Sequence, residues 1–155
     1  MNRITRILIF AAFAAVSGIT VTCTPEACFE ETNAYVKAFF YSNITKEITA
    51  PDSITLHGIG NSSSMIYDAT PDVQPALLPL DASSGFCTFV LKINGITDTL
   101  TFRYSSYPRL ISKECGYTFY HNLDTIFHTK NIIDFIYRSS SGITTKNEEN
   151  IRIFF

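Results

Sequence analysis

FCTFVLKINGITDTLTFRYSSYPRLISKECGYTFY, residues Phe86 to Tyr120, sets the reading of the whole chain. Phe86 to Ile93 alternates strictly: Cys87, Phe89, Leu91 and Ile93 fall on one side, Phe86, Thr88, Val90 and Lys92 on the other. Asp98 to Tyr104 continues in kind, with Leu100, Phe102 and Tyr104 sharing a side. A period of two is that of a strand with one buried face. Asn94-Gly95 joins the pair, and both residues tolerate the positive φ of a tight hairpin turn. Tyr107-Pro108 reads as a break after the second strand, because proline offers no N–H to a ladder. Cys115-Gly116 then opens a third strand over Tyr117 to His121.

Similar segments lie on both sides. Asn33 to Tyr41 alternates Ala34, Val36, Ala38 and Phe40 against Tyr35, Lys37, Phe39 and Tyr41. After the Ala50-Pro51-Asp52 turn, Ser53 to Ile59 resumes the pattern, and Ser64 to Asp68 follows a polar loop, Asn61 to Ser64. Thr70 to Pro79 holds three prolines, so it is expected to be irregular or an edge. Ile126 to His128, Ile132 to Tyr137 and Ile151 to Phe155 complete the set, with Ser139 to Asn150 a loop. About seven to nine short strands without a long helix predict an all-β fold, an antiparallel β-sandwich, Ig-like or similar. A lipid-facing barrel is set aside, since its strands need about 9–11 residues each.

The 155 residues include 13 Phe and 8 Tyr, only 17% are charged, and the net charge is −2. That suits a folded β domain and shows no basic stripe, so nucleic acid is not an expected partner. Residues 1–22 have the layout of a cleaved secretion signal. Arg3 and Arg6 precede an apolar run, Ile7 to Val16, and a small-residue region, Ser17 to Thr22. The run falls well short of the roughly 20 residues that cross a bilayer. Residues 23–32 then form a polar tether, and 33–155 one sandwich domain.

Cys23 stands where the lipid-bearing cysteine of a bacterial lipoprotein would be, and two or more acyl chains there would anchor the protein stably. Thr20-Val21-Thr22 departs from the usual residues before such a cysteine. Cleavage after Gly18, leaving an unlipidated chain that starts at Ile19, is the competing reading. With lipid on Cys23, three thiols remain. Cys87 is in step with Phe89, Leu91 and Ile93 and belongs on the core face, which leaves Cys28 and Cys115 as a disulfide in an oxidising compartment. Without lipid, four cysteines allow three pairings.

Catalytic patterns are missing. His57, His121 and His128 have no cysteine or carboxylate at a ligand spacing. Asp68, Asp72 and Asp81 lack the dense Asp/Asn/Gly pattern of a calcium loop. No serine sits in a nucleophile elbow, and no glycine-rich loop could cradle phosphate. Neither metal nor cofactor is expected. Asp52-Ser53-Ile54, Asp98-Thr99-Leu100 and Asp124-Thr125-Ile126 resemble the O-glycosylation signal of secreted Bacteroidetes proteins, which would place glycans on Ser53, Thr99 and Thr125. Tyr35, Tyr41, Tyr104, Tyr107 and Tyr117 are the first candidates for a contact surface, although cross-strand packing accounts for most tyrosines in such a sheet.

Taken in order, the Cys23 and Cys28 pair, Asp98-Thr-Leu-Thr-Phe-Arg-Tyr, Cys115-Gly116, Thr129-Lys-Asn-Ile-Ile-Asp and Asn150-Ile-Arg-Ile-Phe-Phe resemble an uncharacterised lipoprotein family of Bacteroidetes, a domain of unknown function. The resemblance implies a small envelope lipoprotein, held by its lipid at the outer membrane, with no established activity. The expected function is that of a non-enzymatic binding or structural accessory module with a protein or glycan partner. The alternative is a soluble periplasmic or secreted enzyme, or a metal-binding protein, using His57, His121 or His128.

Overall fold

The computed structural model describes residues 27–59 and 65–155. The expected signal segment 1–22, Cys23 and the loop Asn61 to Ser64 lie outside the described residues. Among the described residues there are ten strands and no helix. They are β1 (Tyr35–Tyr41), β2 (Ile54–Gly58), β3 (Met65–Thr70), β4 (Ala76–Pro79), β5 (Phe86–Ile93), β6 (Ile96–Ser112), β7 (Gly116–His128), β8 (Phe135–Arg138), β9 (Gly142–Ile143) and β10 (Ile151–Phe154). Two sheets result, one in the order β4-β1-β10-β8 and one in the order β3-β2-β5-β6-β7-β9.

Alternation explains the core. Val36, Ala38 and Phe40 of β1, with Ile151 and Ile153 of β10, turn inward from the four-stranded sheet. Ile54, Leu56, Phe89, Leu91, Ile93, Leu100 and Phe102 turn inward from the larger one, and all join one cluster. Two sheets burying one face each against the other is the sandwich expected from the sequence. The β5–β6 hairpin is also as expected: Ile93 pairs with Ile96, and Asn94 and Gly95 take φ of 48° and 90°.

Three features depart from the sequence reading. Tyr107-Pro108 does not break the strand, because β6 runs through it for 17 residues. The last β6 residue paired with β5 is Arg103, opposite Phe86, so Pro108 lies where β6 has no neighbour on that side. Tyr104 sends its N–H away from β7, to Gly85 O at 3.0 Å. Strand periodicity gives Pro108 that same direction, so its missing N–H removes no ladder bond. The segments around Tyr117 and Ile126 are likewise one strand, β7, with its irregularity opposite Arg103 and Tyr104. β10 pairs with β1 in parallel, the exception in an otherwise antiparallel set. The Cys28–Cys115 disulfide is as expected, and with Thr118 Oγ1, which donates to Thr32 O at 2.5 Å, it ties residues 27–32 to the fold.

The proline-rich segment is an edge, as expected, with β4 at the border of the smaller sheet. Beyond its end, Gln74 imitates a strand. Its side-chain oxygen accepts from Phe40 N and its side-chain nitrogen donates to Phe40 O, both at 3.0 Å.

Candidate functional site

The three histidines do not converge. His57 is on β2 between the inward Leu56 and Gly58, on the outer side of the larger sheet, and its Nδ1 finds no hydrogen-bond partner among the described residues. His121 is buried on β7, where Nδ1 meets Ser106 Oγ at 2.8 Å and burial lowers its pKa. His128 is seven residues further on, about 23 Å along an extended strand, and its Nδ1 faces Thr129 O at 2.8 Å. Among the described residues no three His, Cys, Asp or Glu side chains group as a metal site. Asp81, one of the loop carboxylates, is occupied in its own turn by the N–H and hydroxyl of Ser83.

Aromatic and cationic groups do converge, on the outer face of the four-stranded sheet. Register places Tyr41, Phe154 and Phe135 side by side across β1, β10 and β8, with Phe39, Arg152 and Tyr137 in the next row. Phe135 and Phe154 stack at 4.2 Å, and Tyr41 lies 5.3 Å from Phe154. Lys46 Nζ sits 5.0 Å over the Phe135 ring, and the Arg152 guanidinium 5.2 Å from Tyr41 and 5.7 Å from Tyr137. Glu149 orders this corner, accepting from Tyr41 Oη at 2.9 Å, Ser139 Oγ at 2.6 Å and Arg152 Nε at 2.6 Å. Burial works against its charge, but the Ser139, Arg152 and Tyr41 hydrogen bonds outweigh that and hold the carboxyl below its ordinary range. Phe135 and Tyr137 remain exposed. Rings with exposed faces and fixed cations at their rim can stack on a planar or sugar-ring ligand and hydrogen-bond its edge.

Sequence reasoning named only Tyr41 of this group. The alternation in 132–137 and 151–155 carried the signal, but not which strands would be neighbours. Of the other candidate tyrosines, Tyr104 is buried, its hydroxyl donating to Asp81 O at 2.9 Å and accepting from Asp81 N at 3.0 Å. Tyr35 is partly buried, Tyr107 packs on Tyr120 with centroids 6.1 Å apart, and Tyr117 is the most open, at 74% exposure.

A second assembly is the far end of the β6–β7 hairpin, which extends as an arm past β5. Its turn, Lys113 to Cys115, is joined through the Cys28–Cys115 disulfide to the lead-in. Cys87 is the free cysteine among the described residues, half-buried against the core. It lines a cleft of about 510 Å³ with Leu80, Asp81 and Phe89. Burial pushes its thiol up to about 11. Of the three Asp-Ser/Thr positions, Thr125 is exposed, while Ser53 and Thr99 are partly buried, and Thr99 N donates to Thr129 Oγ1 at 2.9 Å.

The model of a family of unknown function, DUF6452, matches residues 53–155. The chain belongs to this family. No curated protein and no solved structure matches it. The DUF6452 match begins at Ser53, one residue before β2, and takes in Cys115 but neither β1 nor Cys28. It also covers Phe135, Tyr137, Arg152 and Phe154, so most of the aromatic face lies within the family's shared span.

Proposed function

We propose that this DUF6452 protein is a Bacteroidetes envelope lipoprotein, anchored through Cys23 at the outer membrane, that acts by binding and not by catalysis. The observation that carries the anchoring is the Cys28–Cys115 disulfide. Such a bond belongs to an oxidising compartment, which is where a chain led by residues 1–22 would be delivered. It also fixes the domain a few residues from Cys23, so an anchor there would hold the folded body close to its membrane.

The binding face is the outer side of β1, β10 and β8, where Phe135 and Tyr137 are open and Lys46 and Arg152 stand at the rim. A glycan or a protein loop is the partner this chemistry suits, because stacking area and fixed donors are offered together. Asp124-Thr125-Ile126 is the favoured place for an O-linked glycan, as Thr125 is exposed on β7.

Intact mass of the protein from native membranes, before and after reduction, tests the reading. A diacylglycerol-type adduct at Cys23, one disulfide, and Cys87 alkylated only after denaturation is the expected result. A chain starting at Ile19 without lipid would overturn the anchoring. A mass with no sugar increment would remove Thr125.

A further inference from the structure

The arm has a face that the rest of the fold leaves open. β5 stops opposite Arg103, and β9 reaches β7 only at His121 and Asn122, so Tyr107 to Tyr120 forms a two-stranded ribbon beyond both. Pro108 pairs with Phe119 and Leu110 with Tyr117, two residues apart, so all four lie on one side. Leu110, Phe119 and Tyr117 are 47%, 46% and 74% exposed. Phe29, 94% exposed, stands beside the same tip, where Ala27, Cys28 and Glu30 adjoin Ser112, Glu114 and Cys115.

We infer that this tip contacts the bilayer, with Phe29, Leu110, Phe119 and Tyr117 entering the interface between headgroups and acyl chains. The inference rests on the anchoring proposed above and adds an orientation to it. The described chain begins at Ala27, beside the tip, because Cys28 is bonded to Cys115 there. Cys23 is five residues earlier and can be no more than about 17 Å away. Any lipid on Cys23 therefore keeps this end of the molecule within about 17 Å of the membrane surface.

The side chains suit that place. Aromatic and aliphatic groups at the tip gain from burial about 5–10 Å into the headgroup boundary. The neighbouring charges are mixed, Arg109 and Lys113 against Glu114, Glu30 and Glu31, so contact depends on apolar burial and not on anionic lipid. A protein partner or a second copy at the tip would have to share the narrow space with the bilayer. The opposite end is far away: Ile96, at the start of β6, is about 45 Å from Leu110 along an extended strand.

The chain has no tryptophan, so a single one reports its own surroundings. Tyr117→Trp and Ile96→Trp would each be made in the chain starting at Cys23, with Cys87→Ala. Each is then coupled through the Cys23 thiol to a maleimide phospholipid in phosphatidylcholine vesicles. The Tyr117→Trp protein is expected to emit at shorter wavelength and to lose at least about half its intensity when the acyl chains are brominated, since the bromines lie within reach of an interfacial ring. The Ile96→Trp protein should emit as in water and be quenched by aqueous iodide. Two results would overturn the inference: a Tyr117→Trp signal as water-exposed as the control, or one shielded equally without vesicles, which would mean a second copy covers the arm. Coupling imposes the anchor, so such a failure leaves the native attachment to be judged by mass alone.

Discussion

Asp98 holds a buried carboxylate, 1% exposed, with no cation paired to it among the described residues. Its compensation is a set of four donors: Thr129 Oγ1, Asn131 N at 2.9 Å, Ile132 N at 2.9 Å and Ile133 N at 3.0 Å. Burial raises the carboxyl's pKa, but the Thr129 hydroxyl and the three backbone N–H groups together outweigh it, and the net shift is downward. Those bonds also explain why β8 starts at Phe135 and not at Ile132, as alternation had suggested: the N–H groups of Ile132 and Ile133 are already taken. Asp98→Asn turns an amide donor toward other donors and should lower stability by about 3 kcal/mol, or about 6–12 °C in melting temperature. The folded pKa lies below the unfolded one, so the stabilisation is complete above the unfolded value and is lost as pH falls through the folded one. Melting curves from neutral to acid pH should show a shallower acid decline in Asp98→Asn than in the native chain. The Asp-Thr-Leu spacing was legible only as the start of a strand, because the four donors come from a segment about thirty residues on. Cys87 was legible, since its place in the alternation set its burial. With its thiol raised to about 11, the reactive thiolate is scarce at neutral pH. Iodoacetamide at pH 7.5 should leave Cys87 unmodified in the folded protein and alkylate it fully in guanidinium.

Among the elements, the long hairpin departs most from the sequence reading. Tyr107-Pro108 looked like a stop, and the strand signal could not reveal that β6 has an open side where Pro108 sits. The same ignorance of neighbours hid the two-residue β9 within a polar loop. Hairpin register, by contrast, was readable, because Asn94-Gly95 and the alternation on both sides fixed it. The arm depends on a few contacts outside its own ladder, chiefly the disulfide and the Thr118–Thr32 bond. Reduction, or Cys115→Ser, should therefore loosen it locally. Hydrogen exchange should rise in residues 27–32 and 107–120 and stay unchanged in β5, and the overall loss should fall short of the roughly 4.6 kcal/mol that the chain-entropy model gives for a separation of 87 residues. An equal rise in β5 would show that the bond supports the whole sandwich.

At the scale of the molecule, the boundary of the family match and that of the folding unit differ. β1 lies outside residues 53–155, yet it is the strand between β4 and β10, and its Val36, Ala38 and Phe40 are fully buried. A fragment of residues 53–155 would lose that strand and separate β4 from its sheet. It should show no cooperative melting and poor amide dispersion by NMR, while residues 27–155 should show both. The sandwich was legible as a class from strand number and turn spacing. The parallel pair was not, because parallel neighbours leave no local trace when a hundred residues separate them.

That pair also sets a waiting time. Lys37 N donates to Asn150 Oδ1 at 2.8 Å and Asn150 N to Lys37 O at 3.1 Å, contacts that span 113 residues. At about 5–20 residues per second, β10 is synthesised some 6–20 s after β1. β4 arrives sooner and can cover one edge of β1, but the other edge stays open for that interval. YVKAFFY, apolar and aromatic with a single charge, is the kind of segment that pairs with copies of itself when left unprotected. Nascent chains of this protein thus need a holding factor, or sparse synthesis, before they need anything that speeds folding.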